Sequence, residues 1–221
     1  ILLFLLVAVT IIAIFLRVCG MDFQSDDFNS FLNSWWSIIK LNDFTGLATQ
    51  VGNYNIPYQV IIYLMTLLPL NALYAYKIVS IIFDFVLAIS TAMLVYSFAK
   101  NNRRLKAILT YSAVLLSATV IFNSSFWAQC DSIYTSFIIL AILFLHKDKP
   151  IASFVFIGIA FAFKLQTVFI IPVLLYYWIS TKKISILHFF IIPAVDVIMC
   201  LPAIIMGRPF IDIITIYAEQ I

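Results

Sequence analysis

Residues 74–98 read YAYKIVSIIFDFVLAISTAMLVYSF, an apolar run whose only charged side chains are Lys77 and Asp84. An α-helix needs about 20 predominantly apolar residues to cross a hydrocarbon core about 30 Å thick. The run therefore predicts a membrane-spanning helix. Further runs of this kind lie at 1–17, 105–122, 132–146 and 184–206.

The composition of the whole chain agrees with a location in a bilayer. Of its 221 residues, 64% are hydrophobic and 10% are charged, and the mean hydropathy is +1.10. Soluble domains are about 45–50% apolar and about a quarter charged, so a soluble domain is excluded. Membrane lipids are the expected surroundings, and a net charge of +3 gives no reason to expect a nucleic-acid partner. The three cysteines lack metal-ligand spacing. No metal site or cofactor is predicted, although a divalent cation stays open.

Basic residues in three loops predict the membrane topology of the chain. Eight of the 13 Lys and Arg residues lie there: Lys100, Arg103, Arg104, Lys106, Lys147, Lys149, Lys182 and Lys183. Loops on the cytoplasmic side are enriched in Lys and Arg. All three loops can be cytoplasmic only if the chain crosses the membrane twice between Lys149 and Lys182. Residues 150–163 and 165–180 are therefore predicted as two short spans rather than one long helix, which gives about seven spans with the N-terminus inside.

The first external loop, residues 18–73, is predicted to carry helices that lie along the membrane surface. The segment 57–70 (PYQVIIYLMTLLPL) is short and has a proline at each end, which favours an interfacial helix over a crossing. The stretch 25–40 offers Ser25, Asp26 or Asp27 as its N-cap. Its predicted apolar face consists of Phe28, Phe31, Trp35 and Ile38–Ile39.

Charged side chains at membrane depth need a partner or a task, because each costs roughly 2.5–3.5 kcal/mol on insertion scales. The predicted topology places several charged residues at or near the outer face of the membrane: Asp26, Asp27, Lys77, Asp131, Lys164 and Arg208. Carboxylates and cations at one level of the membrane suit a site that handles a phosphate and a hydroxyl. Asp84 and Asp196 lie within spans, and a buried, hydrogen-bonded carboxyl group is the default expectation for Asp196.

The two acids of the first loop are the candidate catalytic residues. Asp27, with Asp26 as the second choice, is predicted to act as the general base that removes a proton from an acceptor hydroxyl. The alternative is a structural role, because carboxylates are stabilised at helix N-termini. The sequence alone leaves both roles open.

The candidate substrate-binding residues also have structural alternatives. Gln129 and Asp131 are predicted to bind sugar hydroxyls or to orient the catalytic carboxylate, and the alternative for Asp131 is helix capping. Lys164 is predicted to hold a lipid phosphate as a point charge, and its alternative is an ion pair with Asp131 or Asp84. Lys77 is a candidate for substrate binding or a side chain that snorkels to the interface. Arg208 joins the substrate-binding set by its predicted position.

The order of four stretches resembles the GT-C superfamily of integral membrane glycosyltransferases, and within it the mannosyltransferase-like group related to the enzymes of GPI-anchor assembly. The stretches are SDDFNSFLNSWWSIIK (25–40), VGNYNIPYQVIIYLM (51–65), FWAQCDSIY (126–134) and AFKLQTVFIIPVLL (162–175). GRPFIDIITIYAEQ (207–220) is similar to that group's continuation. Family members commonly continue into further C-terminal helices, so the chain is expected to be part of a longer enzyme.

The resemblance implies one all-α, seven-helix membrane module over residues 1–221, acting on the extracytoplasmic side. It implies a polyprenyl-phosphate sugar donor (dolichyl or undecaprenyl), a glycan or lipid-linked acceptor, and transfer with inversion. Carried onto this sequence, it implies Asp27 or Asp26 as the base, Gln129 and Asp131 in the sugar pocket, and Lys164 at the phosphate. Neither a covalent intermediate nor an obligatory metal is implied.

Two other functions stay open from the sequence. A secondary transporter or lipid flippase would use Lys77, Asp84 and Asp196 as a path near the membrane midplane, and a scaffold would use its charges for packing alone. The concentration of polar residues towards the outer face favours the transferase, a hexosyltransferase for which mannose is one candidate sugar. The expected location is a bacterial plasma membrane, with the endoplasmic-reticulum membrane as the alternative.

Overall fold

The computed structural model describes residues 1–217, and the chain is built there from α-helices and short 3₁₀- and π-helical turns without strands. The α-helices are α1 Leu2–Val18, α2 Asn33–Asn42, α3 Ile56–Thr66, α4 Ala72–Phe98, α5 Arg103–Leu115, α6 Ala118–Ile121, α7 Asp131–His146, α8 Pro150–Phe163, α9 Ile171–Thr181, α10 Ile191–Ile205 and α11 Phe210–Thr215. The end of the stretch 207–220 lies outside the described residues.

Two helices of the described chain are long and apolar enough to cross a membrane, as judged by length and composition. They are α4 and the continuous helical segment Ile186–Ile205, which contains α10. The segments Arg103–Leu115 and Ala118–Phe126 add a third if they form one span, although they are bent by 51°. The other apolar helices are shorter. The all-helical fold is therefore confirmed, with two or three candidate spans.

The run 105–122, predicted as a membrane-spanning helix, is not one straight helix, because α5 ends at Leu115. Ser117 leaves the helical conformation, with φ −62° and ψ 125°, and α6 begins at the next residue. Serine is favoured at helix N-termini, where the backbone is not yet helical. The chain therefore turns here, and the following π-helical turn Phe122–Phe126 leads towards the start of α7.

The predicted division of residues 150–180 into two helices is confirmed. Helix α8 ends at Phe163, and Lys164 is extended, with φ −154° and ψ 132°. A 3₁₀ turn over Leu165–Ile170 then leads into α9, which has a proline in its first turn. A single long helix through Lys164 is ruled out by this geometry.

The three basic loops lie at the same end of the helices. Lys183 forms an ion pair with Asp148 at 2.8 Å, which joins the loop after α7 to the loop after α9. Arg103 and Lys147 line one groove, so the loop between α4 and α5 lies beside the loop after α7. This end of the molecule is called the basic end below.

The predicted helix in the stretch 25–40 is present, but its apolar face is different. Its buried residues are Phe28, Leu32, Trp36 and Ile39, whereas Phe31 and Ile38 are exposed. The cause is a π-helical turn, in which the backbone N–H of Asn33 donates to the carbonyl of Phe28. This turn holds one residue more than an α-helical turn and shifts the register of the side chains that follow.

Candidate functional site

Four of the sequence-predicted site residues, Asp27, Gln129, Asp131 and Lys164, lie close together. They come from the first helical turn of the external loop, the loop before α7, the first residue of α7 and the residue after α8. Helix α7 runs from this cluster to the basic end, a distance of about 22 Å at 1.5 Å per residue. The cluster therefore lies at the opposite end of the helices from the basic loops.

Ser25 fixes the helix that carries Asp27 against the loop that carries Gln129. Its hydroxyl accepts a hydrogen bond from the backbone N–H of Phe28 at 3.1 Å and donates one to the carbonyl of Trp127 at 3.1 Å. Ser25 is therefore the N-cap, and Asp26 and Asp27 occupy the first turn. The positive end of the helix dipole stabilises both carboxylates there.

Gln129 connects the candidate base to a tyrosine. Its side-chain amide donates to Oδ2 of Asp27 at 2.8 Å, and its Oε1 accepts from the hydroxyl of Tyr54 at 2.9 Å. The preceding residue, Ala128, is fully buried and has a φ of +58°. A left-handed conformation is costly for a residue other than glycine, and such strain is typical of functional sites. The bend at Ala128 sets the direction of the chain at Gln129.

The second half of the site is an ion pair between Lys164 and Asp131. The other carboxylate oxygen of Asp131 accepts a hydrogen bond from the side-chain amide of Asn123 at 2.9 Å. Burial lowers the pKa of Lys164, but the charge of Asp131 and their hydrogen bond outweigh burial, so the net shift is upward. Lys164 is therefore held as an ammonium ion.

Tyr54 joins the two halves of the site. Its hydroxyl donates to Gln129, and the ammonium group of Lys164 lies 5.4 Å from the centre of its ring. The ring of Tyr134 lies on the ammonium group as well, at 5.7 Å. Cations are attracted to aromatic faces at such distances. Burial raises the pKa of Tyr54, so its hydroxyl stays protonated and remains a hydrogen-bond donor.

A cavity of about 220 Å³ opens beside Asp27 and Gln129. Its walls combine polar groups with aromatic rings and one leucine: Asp27, Asn53, Gln129, Phe31, Trp35, Tyr54 and Leu32. Pockets for drug-sized ligands are larger, about 300–1,000 Å³. A small cavity with carboxylate, amide and aromatic walls suits a single sugar ring, whose hydroxyls form hydrogen bonds while its C–H face packs on an aromatic ring.

Three other predicted site residues lie apart from this cavity. Lys77 is fully buried and donates to the carbonyls of Gly20, Met21 and Phe23 at 2.7, 3.0 and 2.5 Å. Its ammonium group thereby closes the turn after α1, and the expectation that it snorkels to the interface is wrong.

Arg208 and Asp26 also lie outside the cluster that contains Asp27, Gln129, Asp131 and Lys164. Arg208 is buried, and its Nη1 donates to Oε1 of Gln59 at 3.4 Å, between the chain after α10 and helix α3. Asp26 is exposed, and no hydrogen bond joins it to the other site residues within the described chain. Their predicted roles stay predictions that this geometry does not support.

The two acids of the predicted spans, Asp84 and Asp196, form hydrogen bonds with side chains of neighbouring segments. Asp84 is fully buried and pairs with Arg17 at 2.9 Å, and the hydroxyls of Ser124 and Ser132 donate to it. Asp196 accepts from the amide of Asn55 at 3.3 Å, as a hydrogen-bonded carboxyl group was expected to do. These partners give no support to an ion path through Lys77, Asp84 and Asp196.

Sequence reasoning did not select Tyr54, Asn123, Tyr134 or Trp35 as members of the site. Tyr54 and Trp35 lie within stretches that carry the family resemblance, and Asn123 lies eight residues before Asp131, but neutral side chains in an apolar chain give no individual signal. Within residues 1–217, no group of three His, Cys, Asp or Glu side chains could hold a metal ion. No protein-family model, curated protein or solved structure matches this chain.

Proposed function

We propose that this chain is the membrane-embedded part of a glycosyltransferase that moves a hexose from a polyprenyl-phosphate donor to an acceptor hydroxyl, with inversion. The observation that carries the proposal is the connected set Asp27–Gln129–Tyr54 beside the Lys164–Asp131 ion pair. A carboxylate and an ammonium group are the two charges that this reaction needs. The resemblance to the GT-C superfamily supports the same reaction.

In the proposed step, the carboxylate of Asp27 takes the proton of the acceptor hydroxyl. The acceptor oxygen then attacks the anomeric carbon from the face opposite the lipid phosphate. The bond between that carbon and the phosphate oxygen breaks, and its electron pair leaves with the phosphate. Lys164 stabilises the charge that develops on the phosphate, since a fixed cation in a partly buried site acts more strongly than one in water.

The amide of Gln129 positions the base in this proposal. Its N–H donates to one oxygen of Asp27, which leaves the other oxygen of the carboxylate to face the acceptor. The hydroxyl of Tyr54 fixes the amide in turn, since Gln129 accepts from Tyr54 and so must present its NH₂ group to Asp27. A fixed orientation of the base favours proton transfer.

The topology that we propose has about seven spans, with the basic end in the cytoplasm and the site on the extracytoplasmic side. The shared position of the three basic loops supports this orientation. Helices α2 and α3 would then lie at the outer interface above the site. The proposed acceptor is a glycan or a lipid-linked molecule, mannose is one candidate sugar, and a bacterial plasma membrane is the proposed location.

The test replaces Asp27 with Asn in the full chain and measures transfer of radiolabelled hexose from polyprenyl-phosphate donors in reconstituted membranes. General-base catalysis contributes about 10²–10⁴-fold to rate, so we expect Asp27→Asn to lower turnover by that factor. Donor binding should remain close to that of the wild type, because the amide keeps the size of the side chain.

Asp26→Asn is the matched control. It removes the same charge from the same helical turn, but Asp26 makes no hydrogen bond to the other site residues of the described chain. We expect it to retain activity close to that of the wild type. Equal turnover of Asp27→Asn and the wild type would refute the catalytic assignment, and no sugar transfer by the wild type from any polyprenyl-phosphate hexose would refute the function.

A further inference from the structure

A second, larger cavity lies away from the candidate site. It is a groove of about 970 Å³ between α1, α4 and α5, and it reaches the C-terminal end of α7. Most of its walls are apolar along its length, with Leu6, Ile11, Ile89, Met93 and Ile108 among them. A groove of this volume and character fits an extended hydrocarbon chain.

One end of the groove is basic. Arg103 and Lys147 line it there, together with His146 and Tyr96. The guanidinium group of Arg103 is held by a hydrogen bond from its Nε to the carbonyl of Ala99 at 2.6 Å and lies 5.5 Å from the centre of the Tyr96 ring. This arrangement fixes a cation at the mouth of an apolar groove.

Neither cation at the mouth forms an ion pair with an acid of residues 1–217. Among residues 1–217, the ion pairs are Arg17–Asp84, Lys164–Asp131 and Lys183–Asp148. Asp148, the acid that follows Lys147 in the same loop, is therefore already paired with Lys183. The basic end of the groove is complementary to an anion, and its apolar walls are complementary to acyl chains.

We propose that this groove binds an anionic phospholipid of the leaflet that faces the basic end, with the phosphate headgroup at Arg103 and Lys147 and an acyl chain along α1, α4 and α5. Basic residues next to membrane helices attract anionic lipids of the adjacent leaflet. The groove is distinct from the candidate site, because α7 separates His146 from Asp131 by about 22 Å. The inference rests on the bilayer location in the proposed function but not on sugar transfer.

The test measures lipid binding by the full chain, purified in a neutral detergent without any sugar donor. Dioleoyl-phosphatidylglycerol is titrated against the protein, with dioleoyl-phosphatidylcholine as the zwitterionic comparison. Bound lipid is counted by native mass spectrometry, and the thermal unfolding temperature is recorded in parallel. We expect one phosphatidylglycerol to be retained in preference to phosphatidylcholine and to raise the unfolding temperature.

Two double variants separate the groove from general surface charge. Arg103→Gln with Lys147→Gln removes the two cations of the mouth, whereas Arg104→Gln with Lys149→Gln removes two cations of the same loops that do not line the groove. We expect the first pair to weaken phosphatidylglycerol binding by about tenfold or more, since each cation near an anionic lipid contributes several-fold. The second pair should bind much as the wild type does.

Two single variants test the apolar walls of the groove. Ala107 lines the groove, whereas Ala113 on the same helix is exposed and does not. Ala107→Trp should fill the groove and abolish the preferred lipid, and Ala113→Trp should not. Equal loss in the two glutamine variants, or equal binding in the two tryptophan variants, would overturn the proposal. Loss of sugar transfer alone would not, since no step of the binding test involves transfer.

Discussion

Lys164 meets one expectation from the sequence, and its proposed contact with a phosphate stays a prediction. It pairs with Asp131, as the structural alternative required, and it also lies beside Tyr54 in the cluster that contains the candidate base. An ammonium group has three N–H donors, and within the described residues Lys164 donates one hydrogen bond, to Asp131. The ion pair therefore holds the cation in place without using all its donors.

We expect Lys164→Met to weaken binding of the polyprenyl-phosphate donor, because the phosphate loses its cation. The same change leaves the carboxylate of Asp131 without its partner and is expected to lower stability as well. A steady-state assay of the Michaelis constant for the donor, together with thermal unfolding, measures both effects.

The double variant Asp131→Asn with Lys164→Met separates the two effects. Removing both charges should restore much of the stability, since no unpaired charge is left, while donor binding stays weak. Lys40→Met, at an exposed position on α2, is the control for the loss of a lysine. Normal donor binding by the double variant would contradict the phosphate role.

At the level of helices, Arg17 and Asp84 hold four segments together. Arg17 is at the end of α1 and donates to Asp84 on α4, and its Nη1 donates to the carbonyls of Ala13 and Leu115 at 3.1 and 3.0 Å. Ser132 on α7 donates to the same carboxylate at 2.5 Å. The pair is almost fully buried. It therefore fixes α1, α4, α5 and α7 relative to one another.

Asp84→Ala should lower the free energy of unfolding by about 3–5 kcal/mol, because it leaves the buried charge of Arg17 without a partner. Denaturant titration of the purified protein in micelles measures this change. Asp148→Asn breaks the exposed ion pair with Lys183 and keeps a residue that tolerates the left-handed backbone at this position, with φ +55°. It should have no measurable effect, since exposed pairs contribute little. Comparable losses in the two variants would contradict the structural role of the buried pair.

The sequence predicted most helices but not their internal irregularities. Apolar runs located α1, α4, α7 and the segment Ile186–Ile205 within a few residues, because each helix in lipid must be apolar along its length. The break at Lys164 was predicted from the charges of the flanking loops. The register shift in the first loop was not, because a π-helical turn depends on packing that no local pattern records.

The candidate site was predicted in part for a similar reason. Charged residues at membrane depth are conspicuous, so Asp131 and Lys164 were identified from the sequence. Asp27 was identified because it directly precedes the amphipathic helix of the first loop. Tyr54 and Asn123 were missed, since their roles depend on contacts between distant segments. The partner of Asp84 was also unidentified, because Arg17 is distant in sequence and meets Asp84 only when α1 packs beside α4.

For the whole molecule, the two ends of the helices should face different aqueous compartments. In a background with Cys19 replaced by Ser, Asn33→Cys and Arg104→Cys place single reactive thiols near the site and at the basic end. Both positions are exposed, and the remaining Cys130 and Cys200 are buried. A membrane-impermeant maleimide should label Asn33→Cys in intact cells and Arg104→Cys only after permeabilisation. Labelling of both from one side would contradict the proposed topology.

The lengths of α7 and α8 have a consequence for the surrounding lipid. With 16 and 14 residues, they span about 24 and 21 Å, less than a hydrocarbon layer of about 30 Å. Such hydrophobic mismatch is relieved when the bilayer thins locally. Asp131 and Lys164 would then lie at the floor of a dimple in the outer leaflet, where a polyprenyl donor could lower its headgroup to the site while its isoprenoid tail stayed among the lipids.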